Sequence, residues 1–173
     1  MFEKLKNDGT LIVFPLKDGG RWATNEEYAL FIPVEHMHLT EMVMGSGEYE
    51  YSKEDNSKGK LVRDSYPEVE QLLIPIDKVS KATVIDNSAE VECKEQKTST
   101  TCVLVECSTR TSKYGKNDMA AFNKELYDMI ISIHPDVDIY LGDRLTPLTF
   151  IRKGEEYSLK NCVGFLAEVV NWV

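Results

Sequence analysis

Over most of this chain, apolar positions fall in short runs broken by polar turns; only two stretches hold the three-and-four spacing of a helix. The run at 11–14 is closed by Pro15 and by Lys17-Asp18-Gly19-Gly20, which predicts a strand leading into a turn. A segment opening at Trp22 contains 28–34, which reads as strand or short helix. Pro33 excludes a long helix there, because it lacks an amide proton and restricts its predecessor. Positions 37–44 alternate, Gly45-Ser46-Gly47 supplies a turn, and Glu48-Tyr49-Glu50-Tyr51 alternates again, so a hairpin is predicted. The stretch 52–60 has no apolar member and predicts a mobile surface loop.

Further along, 72–76, 82–86, 89–93 and 101–107 are four runs rich in β-branched residues, separated by short polar turns, and predict an antiparallel sheet. A helix is predicted near 117–134. Asn117 would cap it, Met119, Phe122, Leu126, Met129, Ile130 and Ile133 would form its apolar stripe, and Pro135 would end it. Two strands, 137–141 and 145–151, follow around Gly142-Asp143-Arg144. The final stretch, near 158–172, again has helical spacing, with Phe165 and Trp172 partly outside the stripe, and predicts a C-terminal helix apolar on more than one face.

An internal echo links two of these segments. Leu30-Phe31-Ile32-Pro33-Val34-Glu35 and Leu72-Leu73-Ile74-Pro75-Ile76-Asp77 share an apolar run, a proline and an acidic residue. Proline ends strand pairing, and the acid beyond it can cap one helical turn, so each copy predicts strand, single turn and a change of direction. The second copy, the strands after it and the helix from Asn117 together resemble, in pattern, a pleckstrin-homology-like barrel closed by a C-terminal helix. No family motif accompanies the resemblance and it implies no activity. The predicted fold class is therefore α+β: an antiparallel sheet or small barrel packed by two helices, in a single domain spanning 1–173.

A chain of 173 residues with 42% hydrophobic and 28% charged content is long enough to bury about 70% of its unfolded surface. Its 29 acidic and 20 basic residues give a net charge of −9, a field that repels polyanions. Nucleic acid is thus a poor partner, although Arg110, Lys113 and Lys116 form a local basic stretch suited to phosphate. The charged N-terminal residues and the lack of a long apolar run argue against export and membrane insertion. Cys93, Cys102, Cys107 and Cys162 form no Cys-x-x-Cys pair and suit buried thiols in a cytoplasmic or other intracellular setting. A Cys93–Cys102 disulfide across a hairpin is the alternative.

Candidate chemistry is sparse. His36 and His38, two apart on a strand, would point to one face and share a metal, with His134, Asp136 or Asp138 as a third ligand. Asp136 and Asp138 form an Asp-x-Asp able to hold magnesium. Glu92-Cys93-Lys94 has the Glu-x-Lys spacing of some metal-dependent nucleases. Nucleophile elbows and phosphate-cradling glycine loops are missing, and no cofactor is implied.

Two functions follow. The first is a non-enzymatic protein-binding or assembly protein, a subunit of a larger particle or a small acidic inhibitor or adaptor. It would meet another protein or its own copy through Phe165, Val169, Trp172 and Val173, which put apolar bulk where chains usually fray. The second is a small metal-dependent hydrolase using His36 and His38.

Overall fold

The computed structural model describes residues 10–15, 20–24, 27–33, 35–36, 47–50, 60–63, 69–92, 98–110 and 119–169. The chain divides into two compact units, Met1–Val69 and Glu70–Val173.

The first unit is built on antiparallel strands. Strands β1 (Thr10–Pro15), β2 (Arg21–Thr24) and β3 (Tyr28–Ile32) form a meander, and β4 (Gly47–Glu50) pairs the other side of β1 and carries β5 (Lys60–Arg63). Every residue of β3 is buried, which explains the ambiguity of its sequence: a run apolar on both faces has no period to read. Trp22 and Phe31, opposite each other in the register, bring their rings to 5.9 Å. Thr24 Oγ1 donates to Tyr28 O at 2.6 Å across the connection. Lys60 belongs to β5, so the polar stretch gives its last residue to a strand, and the loop predicted for its other residues, like the alternation at 37–44, lies outside the described residues.

The second unit is an antiparallel sheet with one α-helix among the described residues, an α+β arrangement. Its strands are β6 (Val79–Glu92), β7 (Ser99–Cys107), β8 (Ala120–Asn123), β9 (Val137–Gly142), β10 (Leu148–Arg152) and β11 (Cys162–Leu166), and its helix is α1 (Lys124–Ile133). The order β11-β10-β9-β6-β7-β8 joins two three-stranded meanders through their first strands. Val79 lies opposite Gly142 and Lys81 opposite Tyr140, and α1 is part of the connection between the meanders.

Runs 82–86 and 89–93 are not two strands. Residues 82–86 and 89–92 both belong to β6, whose register shifts between Val84 and Asp86 and again between Asp86 and Ala89, and Cys93 lies outside the described residues. The polar residues between them make a bulge: Ser88 N donates to Asp86 Oδ1 at 2.9 Å, a local bond that replaces ladder pairing. The run 72–76 is not a strand either, since helical turns occupy Val69–Leu72 and Ile76–Lys78.

The internal echo survives as a turn. His36 N donates to Pro33 O at 3.0 Å and Lys78 N to Pro75 O at 2.9 Å, one helical turn after each proline. The acidic cap does not form at the second copy, where no side chain caps the turn.

Helix α1 is capped six residues later than predicted, by Asn123 in place of Asn117, because Ala120–Asn123 pairs with β7 as β8. Asn123, at the junction, is the N-cap and accepts from Leu126 N at 3.2 Å. The last four residues of the predicted six-residue stripe are right: Leu126, Met129, Ile130 and Ile133 are buried, and the helix packs on β7, β8 and β11.

No C-terminal helix forms over 158–166. Turns lead into β11, whose five residues are all buried and pair with β10. Cys162-Val163-Gly164-Phe165-Leu166 is apolar throughout, so burial on both faces imitated a helical stripe, while Gly164 weakens helix and the β10 edge offers hydrogen bonds.

Candidate functional site

The turn joining β9 to β10 begins at Gly142, where a Cβ would stand 2.9 Å from Lys78 O and 3.1 Å from Thr146 Oγ1; only glycine allows this approach. Thr146 closes the turn. Its hydroxyl accepts from Gly142 N at 3.1 Å and donates to Asp143 O at 2.6 Å, while Arg144 N donates to Asp143 Oδ1 at 2.7 Å. At the tip, Leu145 has φ of 65°, the left-handed region that costs a branched side chain about 1–2 kcal/mol. That residue is also 76% exposed, the most exposed large hydrophobic among the described residues.

A buried ion pair holds this tip. The side chains of Arg110, in the segment after β7, and Glu168, in the segment after β11, are 5% and 7% exposed. Arg110 Nη1 donates to Glu168 Oε2 at 2.9 Å and Nη2 to Oε1 at 2.5 Å, a two-pronged geometry that a guanidinium supplies and an ammonium cannot. Glu168 Oε2 also accepts from Leu145 N at 3.3 Å. One carboxylate therefore ties together three segments distant in sequence.

Two further attachments fix the same region. Thr109 Oγ1 donates to Leu141 O at 3.0 Å, and Thr109 N donates to Ser80 Oγ at 3.2 Å. On the other side of Glu168, Val169 N donates to Ala121 O of β8 at 2.8 Å, and the Val169 side chain packs against the cluster of Val91, Cys102 and Ala121.

Only some of the predicted site residues fall among the described residues. Phe165 is buried in β11 and Val169 is half-buried against its own chain, while Trp172 and Val173 lie outside the described residues. His36 is in a helical turn, so the expectation that it shares one strand face with His38 loses its premise; His38 lies outside the described residues. Asp138 is already engaged: Lys81 Nζ lies 2.7 Å from it and Gly154 N donates to it at 3.0 Å. Both bonds favour the carboxylate, and its pKa lies below the ordinary value, chiefly through Lys81. Among the described residues no group of three or more metal-ligating side chains comes together.

Other expectations change in the same way. Arg110, from the basic stretch suited to phosphate, is committed to Glu168, while Lys113 and Lys116 lie outside the described residues. Cys102 stands opposite Ala89 rather than Cys93, and Cys102, Cys107 and Cys162 are free and buried. Burial pushes the Cys162 thiol up to about 12, which leaves it unreactive at neutral pH.

Sequence reasoning missed Leu145 and Glu168. The available signal was Glu168 itself, a lone charge in the apolar stretch 162–170 that calls for a buried partner. No helix among the described residues is long and apolar enough to cross a membrane. Compared with known protein families, curated proteins and solved structures, the chain matches none of them.

Proposed function

We propose that this chain is a non-enzymatic protein-binding or assembly protein, with the β9–β10 turn as its contact point. The observation that carries the reading is Leu145, an exposed apolar side chain held in a costly backbone conformation by a buried ion pair. Strain of this kind persists only where the surroundings impose it, and it clusters at binding clamps. An apolar side chain on a backbone already fixed loses little backbone freedom on docking, which favours affinity. Its partner is another protein or a second copy of this chain. The three free, buried cysteines support a reducing, intracellular setting. The sheet of the second unit is read as a small barrel, supported by the Val169–Ala121 bond, which joins the segment after β11 to β8.

The test is light scattering of the purified wild-type chain and of Leu145→Asp at rising concentration, with both also used as bait for affinity capture. A mass above the monomer, or a captured protein, is expected for wild type and lost in the variant. A monomeric wild type that captures the same proteins as Leu145→Asp overturns the reading.

A further inference from the structure

We infer that the segment after β11 is a strap that sets the conformation of the Leu145 knob, with Glu168 as the positioning residue. The inference rests on the reading of Leu145 as a contact point and adds a means of regulating it. The geometry is a chain of three attachments. Val169 is fixed to β8 by the hydrogen bond its amide donates to Ala121 O and by its packing against Val91, Cys102 and Ala121. Its neighbour Glu168 is thereby carried to Arg110, and the same Oε2 that receives Arg110 receives Leu145 N.

The remaining bonds of the turn run between Gly142, Asp143, Arg144 and Thr146 and would form without the strap. Leu145 N is different, because its acceptor comes from a segment 23 residues away. When the strap lifts, that amide loses its partner and the left-handed conformation loses a bond that opposes its cost. The turn then relaxes toward conformations that withdraw or reorient the side chain. A competing extended segment that takes Ala121 O of β8 in place of Val169 would lift the strap, since an open strand edge can accept another backbone. The knob thus reports whether β8 is occupied by its own chain.

The experiment is residue-resolved amide exchange on the full chain, comparing wild type with Val169→Pro, which removes the amide that reaches Ala121 O and leaves Leu145, Glu168 and Arg110 in place. Exchange at Leu145 N is expected to rise about tenfold or more, while the β6–β7 amides keep their protection. An unchanged Leu145 amide beside an intact β6–β7 ladder overturns the strap. If Val169→Pro unfolds the chain and strips the ladder, Val169→Ala, which only trims the packing, is expected to move Leu145 N in the same direction by a smaller factor, and no change there overturns the inference too.

Association measured on the same samples separates this inference from the reading beneath it. Weakened association in Val169→Pro supports the regulatory role. Raised exchange with undiminished association, when Leu145→Asp abolishes association, overturns the strap as a regulator and leaves the contact point standing. If Leu145→Asp does not change association, the contact point falls, and the coupling of strap to turn is judged on Leu145 exchange alone.

Discussion

Two ion pairs in the second unit have similar chemistry and opposite character. Lys81 and Asp138 join neighbouring strands, with side chains 63% and 14% exposed. Arg110, between β7 and β8, and Glu168, after β11, join the two meanders across 58 residues of chain and are almost wholly buried. The first is dispensable decoration on a ladder that backbone bonds already define, because exposed pairs contribute little once solvent screening is counted. The second decides where three segments lie. An ion pair's weight depends less on its length than on what surrounds it and on what else would hold its elements together.

The strongest way to break this comparison is Arg110→Ala. It leaves the Glu168 carboxylate buried without its main partner, and the cost is expected to be about 3–5 kcal/mol by urea denaturation. A loss below about 1 kcal/mol would put the pair in the same class as Lys81–Asp138. The double replacement Arg110→Met with Glu168→Leu sharpens the point. With no charge left buried it is expected to recover all but about 1–2 kcal/mol, yet Leu145 N should still lose its acceptor and exchange faster. Stability and the conformation of the turn would then be separated.

Leu145→Gly is expected to act in the opposite direction. Glycine accepts positive φ and keeps the amide that bonds Glu168, so stability should hold or rise by about 1 kcal/mol, while association falls because the knob is gone. A destabilised glycine variant would mean that Leu145 packs in a way its exposure belies.

The smallest effect concerns Asp138. Its folded pKa is depressed, first by the Lys81 hydrogen bond and then by Gly154 N. A depressed carboxylate stabilises the fold above its unfolded value of about 4 and loses that contribution as pH falls through the folded value. The stability difference between wild type and Asp138→Asn should therefore be constant above about pH 5 and shrink below about pH 4. A difference that grows on acidification would reverse the assignment.

Legibility in the sequence followed periodicity. The strand runs within β6 and β7 could be read from their β-branched content, the Pro33 and Pro75 turns from proline, and the buried face of α1 from spacing, because that helix has one wet and one dry face. Strands β3 and β11 could not be assigned so, since all of their residues are buried and no period marks them. Asn117 and Asn123 are equally good caps by composition, and only the pairing of Ala120–Asn123 with β7 chooses between them. The candidate site was the least legible part. Leu145 was read as the first residue of a strand, and the meeting of Arg110 with Glu168 is a long-range consequence of the sheet order that no local pattern records.

The joining of the two meanders by their first strands also bears on how the second unit acquires its structure. Within each meander, neighbouring strands follow one another along the chain, so their pairing closes loops of modest entropy. The β6–β9 seam differs, because Val79 must find Gly142 across about sixty residues. Helix α1 lies inside that span and shortens it once formed. The meanders and the helix are thus expected to gain order early, with the seam as the late, rate-setting event. The Arg110–Glu168 pair follows it, since its two halves are delivered by different meanders.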